Sequence, residues 1–456
     1  MLKKIFITCI AVLFAGIIET HASAPIINGI YADPSAIFPG RSTLLTVNAS
    51  STDNGGLVFT YSATTGSFIT WSGNHARWLS PLVGGSYTIS VIVNSTLGGQ
   101  SFTFVSVNVE PAFYKGMITG LQSPVYVAVD ENGNLYVSQP QVYSVTSFDH
   151  NGHKRFGITL SNKPGSITVM HNVLYVVLKS EGDIASYFSI DGNFLNNLCN
   201  NNRFNNPSGI TVDRASYIIY VSDANGIHSI DAGCNSISNF TYPQMGMPVG
   251  MDFDSLLNNL AVADPLKASI VLINTAGTTT TQVGQYGLQG NIGWSGFNPG
   301  FDNNSSLTRP VGVAGDDFGR YYVADAYQNA VFVYTNQNQF VGAIGSYGTE
   351  PGAFKNPTSL AIDRINGLLY VADPFNSRVE VFNIDKKPLP PTPTGSPSII
   401  GKPLTTVTSN AVATSKSAGC SCNTSDKMSG SASIMDGYTV LIILGLFMLL
   451  IRRRHA

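Results

Sequence analysis

Four aspartates close the same short phrase: Asp223 ends "VSD", and Asp264, Asp325 and Asp373 end "VAD". Carboxylates in equivalent places could ring a metal or trade a proton. An aspartate at a strand end has a simpler use, accepting hydrogen bonds from backbone N–H groups of the following turn. These four are therefore expected to be loop-capping and structural. The same expectation covers Asp130, Asp213, Asp254, Asp316 and Asp363, which stand in turns one strand earlier. Few histidines accompany them: His150, His153, His171 and His228, the first two inside "DHNGHK", a hairpin turn. No Ser/His/Asp arrangement and no zinc-ligand spacing occurs. No catalytic residue, metal ligand or cofactor is assigned, and the expected chemistry is that of binding.

The element that positions these aspartates is a repeat. Six copies begin at Pro124, Pro164, Pro207, Pro248, Pro310 and Pro357, at spacings of 40, 43, 41, 62 and 47 residues. Each copy reads as a strand, an Asp-containing turn, a nearly continuous apolar strand, a polar loop and a third, alternating strand, with a fourth before the next proline. Four-stranded units of this length are propeller blades. The sixth copy, "IGSYGTEPGAFKNPTSLAIDRINGLLYVADPFNSRVEVF" (Ile344–Phe382), resembles the NHL repeat through its Gly-rich start, its Tyr-Val-Ala-Asp at Tyr370–Asp373 and its Arg378. The resemblance implies a six-bladed NHL-type β-propeller over residues 112–385. Copies one and two depart from the pattern, with Gln139 and Lys179 at the Asp position. The sixth copy stops after its third strand at Asp385. The orphan strand "FYKGMITG" (Phe113–Gly120) is expected to complete it and close the ring.

NHL propellers bind proteins or RNA. Some six-bladed propellers are lactonases or metal-dependent lyases, which supplies the alternative reading, a metal-dependent hydrolase or lyase. The 62-residue spacing holds an extra loop, "GNIGWSGFNPGFDNNSS" (Gly290–Ser306), on the face of the four Asp loops. Its Trp294, Phe297 and Phe301 are candidate ligand-binding residues, suited to stacking on a glycan or protein partner; the alternative is that they fold back over the propeller surface. Cys199 and Cys234 fall near strand ends on opposite faces. A bridge needs Cα atoms within about 7 Å, which argues against a bond.

Residues 25–111 alternate with period two in "LLTVNAS", "LVFTYSA", "SYTISVIVN" and "FTFVSVNV", as a β-sandwich does. "ARWLSPLVGGSYTISVIV" (Ala76–Val93) resembles the late strands of bacterial immunoglobulin-like or PKD-like modules, which implies that Trp78 and Tyr87 are core residues.

The two ends carry addresses. Lys3, Lys4 and the apolar run Ile5–Ile18 precede "THASAP", so residues 1–24 read as a signal peptide cleaved after Ala22 or Ala24. Residues 386–433 form a Pro- then Ser/Thr-rich stalk. Within 434–456, Gly437–Ile451 gives 15 uncharged residues before Arg452–Arg454. As a helix this covers about 22 Å of a hydrocarbon core of about 30 Å. Together with Cys420 and Cys422 it resembles the myxobacterial type of C-terminal sorting tail, which implies a sortase-like processing protease; a plain single-pass transmembrane anchor is the alternative. The arginines place the bulk of the chain outside, at the cell envelope or surface. Only 11% of residues are charged and the net charge is −2, which excludes a nucleic-acid footprint. The expected protein is thus all-β: a surface-anchored propeller behind an immunoglobulin-like module, binding or scaffolding an extracellular protein or glycan.

Overall fold

A computed structural model describes residues 23–52, 54–199, 203–242, 245–284 and 307–387. These residues form eight four-stranded sheets. Two belong to the N-terminal part. One orders Ile26–Asp33, Ser42–Ser50, His75–Leu79 and Ser67–Ser72; the other orders Ala36–Ile37, Gln100–Val109, Gly85–Ser95 and Leu57–Ala63. Their period-two faces meet at Leu45, Trp78, Ile89 and Val107, all fully buried. Trp78 donates from Nε1 to the Thr65 carbonyl (3.1 Å) and lies 5.9 Å from the Tyr87 ring. Burial of each such side chain contributes about 1.5–3 kcal/mol.

The other six sheets are blades. Their first strands (Tyr126–Val129, Pro164–Met170, Gly209–Asp213, Gly250–Asp254, Pro310–Gly315 and Ser359–Asp363) touch one another in a closed ring. The second strands are buried on both faces because adjacent blades cover them. In Leu368–Asp373, Leu369 and Val371 enter the core shared with the fifth blade, while Leu368, Tyr370 and Ala372 enter the core shared with the first. One strand thus serves two cores, which is why it reads as continuously apolar.

The sixth sheet is composite. Arg378–Ile384 pairs antiparallel with Ala112–Ile118, through Val379↔Ile118, Phe382↔Tyr114 and Ile384↔Ala112. The strand from before the first blade therefore completes the last one, and the ring has no open seam. Tyr114 packs edge-on against Phe382 at 5.8 Å.

Two sequence expectations need correction. Lys179 does not hold the Asp position of the second blade. Leu178 does, opposite Asp183, as Asp373 stands opposite Arg378. The count from the proline overshoots because this blade's first hairpin turns on only two residues, His171 (φ 46°) and Asn172 (φ 66°). Cys199 and Cys234 are also bonded, with Cα atoms 5.3 Å apart. The outer strand Phe194–Asn197 has only four residues. Leu198 and Cys199 follow it into the apolar layer between the second and third blades, where Cys234 also packs.

Candidate functional site

First and third strands run one way and second and fourth the other. The second-to-third loops therefore share one face, here the upper, with the segments entering each blade. The four repeat aspartates are buried at this end. Asp264 accepts from Tyr242 Oη (2.7 Å) and the Gly246 N–H (2.8 Å) on the entering segment, and from the Leu266 and Lys267 N–H groups (3.1 and 3.2 Å) of its loop. Asp325 does the same with Thr308 and Arg309 (2.6 and 2.9 Å), then Tyr327 and Gln328 (3.1 and 3.0 Å). Asp223 takes the Asn205 and Asn225 N–H groups (2.9 and 2.7 Å), and its Oδ1 lies 2.9 Å from His228 Nε2. Asp373 takes the Lys355 N–H (2.8 Å), Asn376 Nδ2 (2.7 Å) and Arg378 Nε (3.3 Å). Burial still raises the Asp373 pKa, against the lowering pull of the Lys355 and Asn376 hydrogen bonds and the Arg378 charge.

Each carboxylate thus staples two loops, and its lone pairs face donors of the protein. The first departing copy keeps the device with an amide, whereas the second ties an aspartate to the segment leaving its blade. Gln139 Oε1 accepts from the Gln122 N–H (2.8 Å), and Asp183 accepts from the Ile184 and Cys199 N–H groups (2.7 and 2.8 Å).

Held by these staples, the upper loops present large apolar tips. Leu266 is 75% exposed, Phe375 72%, Tyr327 67% and Tyr347 63%. Asp149 holds His153 at 3.1 Å in an exposed turn, and His171 stacks on Tyr217 at 4.5 Å. Among the described residues no group of three or more His, Cys, Asp or Glu could hold a metal.

The channel along the axis encloses a cavity of about 330 Å³. Ala128, Thr168, Thr211, Asp252, Ala314 and Ala361 line it at equivalent register positions. Five of these face a second-strand tyrosine; Asp252 faces Ala261 instead. Asp252 Oδ2 accepts from the Gly315 N–H at 2.8 Å. Burial raises its pKa, against the lowering pull of Arg364 and Arg214. The sequence reading missed all three. The signal was there: Asp252 is an acid inside an apolar strand, and "DR" recurs at 213–214 and 363–364.

Of the residues singled out from sequence, Trp294, Phe297, Phe301, Ala22, Cys420 and Cys422 lie outside the described residues, as does the apolar segment 437–451. Ala24 is exposed, and its carbonyl lies 3.4 Å from Thr52 Oγ1. Among the described residues no helix is long and apolar enough to cross a membrane.

The ring and its six sheets define a six-bladed β-propeller. A family model described as a 6-bladed beta-propeller, DUF5128, matches residues 308–390. Similar solved structures include an auxiliary nutrient binding protein from Bacteroides ovatus, 14% identical, covering 80% of this chain and 98% of that one at a TM-score of 0.48. A structural genomics protein of unknown function from Bacteroides thetaiotaomicron is 13% identical, covers 79% and 98%, and scores 0.48. Virginiamycin B lyase from Staphylococcus aureus is 14% identical, covers 72% and 100%, and scores 0.41. None of these likenesses assigns a ligand.

Proposed function

We propose that this chain is an exported, surface-anchored NHL-type propeller that binds an extracellular protein or glycan through its upper face. The observation that carries the reading is the set of exposed tips, Leu266, Tyr327, Tyr347 and Phe375, on loops fixed by buried aspartates. Exposed aromatics on rigid loops lose little freedom on contact, which favours recognition. The reading extends to Trp294, Phe297 and Phe301, which lie outside the described residues, as further contact residues for the same partner. The immunoglobulin-like module and the stalk serve as spacers, and the tail with Cys420 and Cys422 serves sorting by a sortase-like protease.

The test replaces Tyr327, Tyr347 and Phe375 together by Ser in the full chain. Retardation by cell-surface polysaccharides in affinity gels and binding to washed cells are then measured. Binding that the triple variant loses, at unchanged melting temperature, supports the reading; equal binding by both proteins sinks it. Intact mass of the native protein addresses the tail. A chain ending near Cys420 or Cys422 supports sorting, and one reaching Ala456 means a single-pass anchor.

A further inference from the structure

The lower mouth of the channel is circled by the first-to-second-strand turns. In five blades the residue after the turn aspartate is Glu131, Arg214, Ser255, Asp317 and Arg364. Arg214 belongs to the third blade and Arg364 to the sixth, so the two start from opposite sides of the ring. Arg214 reaches the first blade, with Nε 2.9 Å from Glu131 Oε1 and Nη2 donating to the Val129 carbonyl at 2.9 Å. Arg364 reaches the fifth blade, with Nη1 on Asp317 and Nη2 donating to the Gly315 carbonyl at 2.7 Å. Arg214 Nη1 and Arg364 Nε find no partner among the described residues. Both arginines line the cavity with Asp252 between their blades.

From this geometry we infer a binding site for a small dicarboxylate, gripped at its two ends by Arg214 and Arg364 at the lower mouth. A guanidinium offers a fork of donors that matches a carboxylate. Two forks from opposite sides call for two acidic groups on one molecule. The cavity suits a small molecule. Glu131 and Asp317 occupy the forks as internal stand-ins. They are 39% and 36% exposed, and ion pairs this open hold weakly, so a ligand can displace them into solvent. Asp252 Oδ2 is already engaged by the Gly315 N–H at 2.8 Å. This site lies on the face opposite the loops that carry the proposed function, and its test is independent of that reading.

The experiment is calorimetric titration of the full chain with tartrate and succinate, against acetate and inorganic phosphate. The dicarboxylates are expected to bind about tenfold or more tightly than either comparator. Arg214→Gln and Arg364→Gln, which keep a donor for the backbone carbonyls, should each weaken tartrate about tenfold, with folding checked by melting temperature. Glu131→Gln and Asp317→Asn remove the internal competitors and should tighten binding. Absence of dicarboxylate binding at millimolar concentration overturns the inference. So do equal binding of acetate or phosphate, indifference to both arginine substitutions, or weaker binding in Glu131→Gln.

Discussion

Arg41 and Asp385 stand 344 positions apart in the chain and meet in a forked ion pair, with Nε 2.9 Å from Oδ2 and Nη2 2.8 Å from Oδ1. The pair joins the N-terminal two-sheet part to the end of the sixth blade. Phe38 on Phe113 (4.9 Å) and the Gly84 N–H on the Val341 carbonyl (2.7 Å) reinforce it. Asp385 is nearly buried while Arg41 is 41% exposed. Arg41→Ala should therefore cost about 1–2 kcal/mol, less than a fully buried pair. Chemical denaturation measures it; an unchanged midpoint would mean the contact adds nothing to stability.

Closure by Ala112–Ile118 makes a stronger demand. Deleting these residues exposes the edge of Arg378–Ile384 and uncovers Phe382. The melting temperature should fall by roughly 10 °C or more, with loss of a single cooperative transition. An unchanged melting curve would contradict the composite sixth sheet.

Asp264→Ala removes the acceptor for five donors on two loops, Tyr242 Oη and the N–H groups of Gly246, Met247, Leu266 and Lys267. The expected loss is about 3 kcal/mol, since the freed N–H groups are only partly rewetted. Asp264→Asn keeps an acceptor and should lose less. Equal losses in the two variants would show that charge, not hydrogen bonding, carries the staple.

Glu380 gives a pH signature. It lies buried beside Arg378 (2.8 Å), and burial pushes its pKa from 4.5 to about 7. The folded state therefore keeps a proton that the unfolded chain has already lost. Stability from this group is present below about pH 4.5 and declines as pH rises through 7. Glu380→Gln should remove about 2 kcal/mol of that decline, seen as a gain over wild type that grows from pH 5 to pH 8. A constant gap between the two proteins across that range would refute the assignment.

The bond between Cys199 and Cys234 closes a 35-residue separation. Its removal by Cys199→Ala with Cys234→Ala should cost about 2–4 kcal/mol. Alkylation of the unreduced native protein should leave both sulfurs unmodified; labelling of either would show that they are free.

Much of the propeller was legible because its physics repeats. The apolar second strands and their terminal acids recur, and the last copy stops one strand short, which points to Ala112–Ile118. The failures share a cause. Counting from each proline assumes constant turns, and the two-residue turn at His171–Asn172 broke the count at Lys179. Placing Cys199 by its strand end assumed that the chain keeps to the blade edge, whereas it turns into the layer between blades. Arg214, Asp252 and Arg364 escaped because a consensus hides the positions at which the copies differ. The channel mouth is built from those positions.

The composite sixth sheet also sets a timetable. Ala112–Ile118 is made before any blade, yet its partner Arg378–Ile384 is the last propeller strand to appear. A growing chain can stack five blades in order but cannot lock the ring until the sixth arrives. Pairing between such distant segments is slow to find. Throughout synthesis the early strand must wait with its edge unpaired, and any truncation before residue 378 leaves it without a partner. The seam thus closes only when both ends of the propeller are present.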